Sequence, residues 1–81
     1  MRYLDNERDT YSYLVQRTLN GYAVFVYNEA KRLSTELTQQ IAGKIGVMLP
    51  QGYKPYHNKE NAAIKALRDV ASVNNFQPIC K

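Results

Sequence analysis

The chain has 81 residues, of which 44% are hydrophobic and 22% are charged, and its formal net charge is +4. This length predicts a single domain over residues 1–81 with a core of modest size, and the composition excludes wholesale disorder. No apolar run approaches the ~18–20 residues of a membrane span, and no apolar segment resembling a secretory signal follows the first residues, so we expect no membrane contact.

The stretch 10–28 predicts an N-terminal β-hairpin, because both of its halves are rich in tyrosine and β-branched residues. Asn20 and Gly21 lie between the halves and are the preferred pair for a two-residue type I′ turn. That turn would place Leu19 opposite Tyr22. The apolar side chains expected on the core face are Val15, Leu19, Val24 and Val26.

A helix over residues 8–19 is the alternative for the first half of this stretch. Tyr11, Leu14, Val15 and Leu19 also fall on one helical face. Asp5 or Asn6 would cap such a helix, and Gly21 would end it. We favour the hairpin and retain the helix as the competing interpretation.

The next segment predicts a helix from about Glu29 to Ile45. Asn28 is a suitable N-cap, and Gly46 is a natural stop. The apolar residues Leu33, Leu37, Ile41 and Ile45 recur every four positions, which forms a single stripe on a helix.

Residues 47–57 predict a loop rich in proline and glycine, and a second helix follows from about Lys59 to Asn74, capped by Asn58. Its expected buried stripe consists of Ala63, Ile64, Leu67, Val70 and Ala71. The tail from Phe76 to Ile79 is expected to dock as a short extended piece. The fold class is therefore α+β, a small domain with an N-terminal hairpin followed by two helices, and an all-α helical bundle is the alternative.

Positive charge gathers in the second half of the chain. Between Lys44 and Arg68 there are five basic residues against Glu60 alone, so this segment carries the whole net charge of +4. Lysines neutralise phosphates, and tyrosine rings offer stacking surfaces to unpaired bases. We therefore expect DNA or RNA, or an acidic protein surface, to bind at Lys44, Tyr53, Lys54, Tyr56, Lys59, Lys65 and Arg68. Proline and glycine interrupt the chain after Gly46, so these residues would bind as a loop with flanking cations.

Seven tyrosines in 81 residues indicate an alternative function. Tyrosine is favoured at protein interfaces because it combines a large rigid contact area with a hydroxyl group. The residues Tyr11, Tyr13, Tyr22 and Tyr27 would then form the interface of a module that inhibits or modulates a larger protein, of the kind that phages and other mobile elements direct against host machinery. An exposed strand edge at residues 22–27 would also suit strand addition or a homodimer.

The sequence contains no catalytic motif. No glycine-rich phosphate loop, no Ser/His/Asp arrangement and no suitably spaced carboxylate pair is present, so we expect no enzyme and no cofactor. Cys80 is the only cysteine and His57 the only histidine, so a metal site built on several such ligands is not expected. A single thiol fits a reducing compartment, and we expect a cytoplasmic protein.

Overall fold

The computed structural model describes residues 1–5 and 10–79, which form a compact α+β domain with a six-stranded antiparallel sheet and two helices. In chain order the elements are β1 (Arg2–Leu4), β2 (Tyr11–Thr18), β3 (Gly21–Asn28), β4 (Leu33–Glu36), α1 (Gln39–Ile45), β5 (Tyr56–His57), α2 (Glu60–Asn74) and β6 (Gln77–Pro78). The α+β class is confirmed and the all-α bundle is wrong. The alternative helix over 8–19 is wrong in its described part, where Tyr11–Thr18 is a strand. The expectations for Asn6 and Cys80 lie outside the described residues.

The sheet is built around β3. The strand order is β4-β3-β2-β1-β6, and β5 also pairs with β3, beside β4 on the same edge. Tyr22 and Ala23 pair with β5, whereas the stretch from Phe25 to Asn28 pairs with β4. Between them, the amide of Leu37 donates to the carbonyl of Val24 at 2.8 Å. This edge of β3 is therefore hydrogen-bonded along nearly its whole length.

The predicted hairpin is present, but its register differs by one residue on each strand. Thr18 lies opposite Gly21, so the turn consists of Leu19 and Asn20. Neither turn residue has the positive φ that a type I′ turn requires, and Gly21 instead has φ +127° as the first residue of β3. Leu19 is fully exposed, with a relative exposure of 105%, and its assignment to the core was wrong.

The long helix expected from Glu29 is replaced by a strand and a short helix. Leu33–Glu36 pairs with β3, and α1 begins only at Gln39, with Thr38 as its N-cap. The Thr38 hydroxyl accepts a hydrogen bond from the Ile41 amide at 3.3 Å. The Asn28 side chain does cap, but it accepts from the Lys31 amide at 3.1 Å within the turn before β4.

The second helix is confirmed, with Glu60–Asn74 against the expected 59–74. The residues that it buries are Ala63, Leu67, Val70 and Ala71, and Ile64 is half-buried. Lys59 occupies the N-cap position without a side-chain hydrogen bond, so the cap expected at Asn58 was wrong. Neither helix in the described part of the chain is long and apolar enough to cross a membrane.

Asn74 joins the end of α2 to the segment after α1. Its side-chain amide donates to the Met48 carbonyl at 2.6 Å and accepts from the Met48 amide at 2.9 Å. The same nitrogen also donates to the Val70 carbonyl at 2.8 Å. The two bonds to Met48 satisfy backbone groups that lie outside the strands and helices.

The core lies on one face of the sheet, between the strands and the two helices. Tyr13 is fully buried and stacks on Phe76, with ring centroids 4.3 Å apart and planes 11° apart. The expected docking of the tail is confirmed, because Gln77–Pro78 pairs with β1. The buried core consists of Tyr3, Tyr13, Val24, Val26, Leu37, Ala42, Val47, Leu67, Val70, Ala71 and Phe76.

Candidate functional site

A shallow cleft of about 220 Å³ opens between the loop before β5 and the outer face of α2. The loop contributes Tyr53 and Lys54, strand β5 contributes His57, and α2 contributes Lys65 and Asp69. Within residues 1–5 and 10–79, the lining consists of Pro50, Gln51, Gly52, Tyr53, Lys54, His57, Ala62, Lys65, Ala66 and Asp69. The cleft therefore combines three basic or potentially basic side chains with one carboxylate.

Tyr53 anchors the loop side of the cleft. Its hydroxyl donates to the carbonyl of Leu37 at 2.8 Å, and its amide donates to the carbonyl of Pro50 at 3.1 Å. Burial, and to a smaller extent the negative charge of Glu36, raise the pKa of the Tyr53 hydroxyl well above its ordinary value. Tyr53 therefore stays protonated near neutral pH and serves as a hydrogen-bond donor to the backbone.

The far end of the loop is fixed by the pairing of β5 with β3. Tyr22 lies opposite His57, and a Cβ atom at Gly21 would be only 2.5 Å from the His57 carbonyl oxygen. The His57 ring is oriented by a 3.0 Å hydrogen bond between its Nε2 and the Lys54 carbonyl. Both ends of the loop are thus attached to the sheet, which positions Lys54 opposite α2.

Five of the seven residues predicted to bind an anion are found at or beside this cleft. Tyr53, Lys54 and Lys65 line it, while Lys59 precedes α2 and Arg68 lies one helical turn after Lys65. The four cations among them are exposed, and within the described residues none of the four forms an ion pair. Their charges are therefore free to act on an external anion.

The structure separates two predicted residues from the cleft. Lys44 lies on α1 and lines a different groove. Tyr56 follows the strand alternation to the opposite face of the sheet, where its hydroxyl donates to Glu36 Oε2 at 2.5 Å. This hydrogen bond raises the pKa of Tyr56, with smaller contributions from burial and from the Glu36 charge. Tyr56 and Tyr53 therefore cannot stack bases together.

Two lining residues with ionisable side chains, His57 and Asp69, were not among the residues predicted to bind. Asp69 follows Lys65 by four positions, so both lie on one face of α2. In the sequence, the helical spacing of Ala62, Lys65, Ala66 and Asp69 indicates that these four residues share one face of α2. No local pattern indicates His57, because its place depends on a strand that pairs with distant residues.

The tyrosines of the alternative interface do not form one surface. Tyr13 is buried in the core, Tyr11 packs against the core, and Tyr22 lies beside β5. Tyr27 lies on the opposite face of the sheet, half-buried. The stretch 22–27 is paired on both sides, so the exposed edge expected there was wrong.

The described lining of the cleft offers two lysines, one histidine and one carboxylate. Across residues 1–5 and 10–79, no group of three or more His, Cys, Asp and Glu side chains is arranged to hold a metal ion. No protein-family model matches the chain, and no curated protein or solved structure shows significant similarity to it. The properties of the cleft itself are thus the basis for a functional proposal.

Proposed function

We propose that this protein is a non-enzymatic binding module that contacts the phosphate backbone of a nucleic acid through the cleft and its flanking cations. The observation that carries the proposal is the fixed position of Lys54 across the cleft from Lys65, with neither side chain paired to a carboxylate of residues 1–5 or 10–79. Lys59 and Arg68 extend this positive surface along α2.

Exposed lysines suit a phosphate partner for energetic reasons. They are already exposed and have no ion-pair partner in the described part of the chain, so binding there breaks no ion pair and requires little desolvation. Each phosphate that they neutralise releases condensed counterions, which favours association. The anchoring hydrogen bond of Tyr53 reduces the loss of loop entropy on binding.

We propose that the cleft contacts the phosphate backbone of the nucleic acid and does not recognise its bases. Tyr56 lies on the other face of the sheet, and the Tyr53 hydroxyl is already bonded to Leu37. No recognition helix follows α1 directly, because the segment from Gly46 to Lys59 separates it from α2. We therefore expect affinity that depends strongly on salt and weakly on sequence.

The test is a salt titration of binding to a short duplex and to a single-stranded oligonucleotide. If Lys54, Lys59, Lys65 and Arg68 each neutralise one phosphate, log K should fall against log salt with a slope of about −3 to −4 for a duplex. Lys54→Glu combined with Lys65→Glu should abolish binding.

The control is Lys31→Glu combined with Lys44→Glu, which changes the net charge equally but leaves the cleft intact. This control should retain most of the affinity. Absence of binding to either nucleic acid at low salt would refute the proposal, and so would an equal loss in the two double variants.

A further inference from the structure

Strand β4 forms one outer edge of the sheet within the described residues. The Leu37 amide points towards β3, where it donates to Val24. Because amide directions alternate along a strand, the N–H and C=O groups of Ser34 point away from β3. Ser34 itself is exposed, so its backbone can pair with an additional extended chain.

An apolar groove of about 300 Å³ lies beside this edge, on the face of the sheet that carries the helices. Leu33 and Thr35 line it from β4, and Ile41 and Ile45 line it from α1. Leu33 has a relative exposure of 56%, which is high for a leucine next to a core. A strand added to β4 would direct every second side chain towards this groove.

The charged side chains among the described residues that line the groove are Lys31 and Lys44, and none of these lining residues is acidic. Both lysines are exposed, and in the described part of the chain neither has an ion-pair partner. The nearby Glu36 directs its carboxylate to Tyr56 on the opposite face. A complementary ligand therefore carries apolar side chains next to carboxylates.

We propose that the β4 edge and this groove form a docking site for an extended segment of a partner protein that carries apolar and acidic side chains in turn at every second position, so that both kinds project from the same face of the added strand. The segment adds to the sheet through the backbone of Ser34. Its apolar side chains enter the groove between β4 and α1, and its carboxylates lie near Lys31 and Lys44. This site is separate from the phosphate-binding cleft and shares no lining residue with it.

The test uses a blocked ten-residue peptide whose odd positions alternate between valine and glutamate, with threonine at every even position, and a matched peptide in which lysine replaces glutamate. NMR titration of the full chain should shift the amide resonances of Ser34, Glu36 and Ile41 with the acidic peptide only. Lys31→Glu combined with Lys44→Glu should weaken binding at least tenfold, whereas Lys54→Glu combined with Lys65→Glu should leave it unchanged.

Two further variants test the edge itself. Ser34→Pro removes the outward amide, and Leu33→Glu places a charge at the groove on an already exposed position; each should weaken binding at least tenfold. Unchanged affinity in a folded Ser34→Pro variant would overturn the proposal, as would equal binding of the lysine peptide. Sedimentation showing that a second copy of the chain occupies this edge, and is not displaced by the acidic peptide, would also overturn it.

Discussion

The carbonyl oxygen of His57 lies so close to Gly21 that a Cβ atom at residue 21 would be 2.5 Å from it. Real Cβ contacts are essentially never this short, and Gly21 also has φ +127°, a conformation that side chains disfavour. Residue 21 is therefore required to be glycine for two independent reasons. The hairpin and the loop that bears the cleft meet at this point.

Replacement Gly21→Ala should displace β5 from β3. Backbone strain and the clash with His57 together should lower the free energy of unfolding by about 2 kcal/mol or more, and binding at the cleft should weaken as well. Thermal unfolding and the salt titration measure the two effects. Gly43→Ala is the matched control, because a Cβ at that helical position meets no atom within 4 Å. It should be neutral or stabilising by up to about 1 kcal/mol, and a similar loss in both variants would contradict the role assigned to Gly21.

Tyr53→Phe should destabilise the protein near neutral pH by about 1 kcal/mol, because the Leu37 carbonyl loses its donor. The pKa of Tyr53 is raised in the folded state, so its contribution is fully present below the ordinary value of 10.0 and is lost as the pH rises above it. The wild-type stability should therefore fall above pH 10 by up to about 1.4 kcal/mol per pH unit more than that of the variant.

Denaturant unfolding between pH 7 and pH 11 measures this difference. Tyr56→Phe is the control at neutral pH, since its exposed hydrogen bond to Glu36 competes with water and its loss should change stability little. Parallel pH profiles for wild type and Tyr53→Phe would show that the Tyr53 hydroxyl is not buried as described.

Asn74→Ala should separate the end of α2 from the segment after α1. It removes both hydrogen bonds to Met48 and the bond to the Val70 carbonyl, and we expect a loss of about 1–2 kcal/mol. Asn74→Asp should destabilise the protein at least as much as Asn74→Ala, because aspartate keeps the acceptor but brings a carboxylate towards two carbonyl oxygens. Ser72→Ala, an exposed change in the same helix, is the control for helix propensity in thermal unfolding. A stability of Asn74→Asp equal to wild type would contradict the donor role of this side chain.

Asp69→Asn should strengthen nucleic-acid binding. Asp69 is the one carboxylate among the residues that line the cleft, and it lies one helical turn from Lys65. Removing its charge relieves repulsion of a phosphate, so the affinity should rise several-fold at low salt and converge with wild type at high salt. Glu29→Gln, at the other end of the sheet, should have no such effect. A weaker complex with Asp69→Asn would contradict phosphate contact at the cleft.

Local signals account for the parts of this fold that were predicted correctly. The β-forming residues of β2 and β3 and the apolar stripe of α2 are properties of neighbouring residues, which a sequence shows directly. Strand β4 was missed because Leu33, Leu37, Ile41 and Ile45 have helical spacing. Pairing with β3 overrides this preference for a helix, and Leu33 becomes an exposed residue of an edge strand.

The errors at the site have a similar cause. Tyr53, Lys54 and Lys65 were found because their charge and aromatic character are visible one residue at a time. The direction of Tyr56 depends on how β5 alternates once it pairs with Ala23, which is more than thirty positions earlier in the chain. The hairpin register likewise places Gly21 where a Cβ atom would meet the carbonyl oxygen of His57, which lies far later in the chain. A local sequence pattern does not predict such long-range contacts.

The continuous pairing of β3 has a consequence for hydrogen exchange. Its neighbours β2, β4 and β5, together with the Leu37 amide, engage the backbone of this strand on both sides, and its buried residues Val24 and Val26 belong to the core. Its amides can then exchange with deuterium only when most of the domain opens, whereas those at the ends of the sheet exchange through local fraying. The slowest-exchanging amides should therefore trace β3, and their protection should report the global free energy of unfolding.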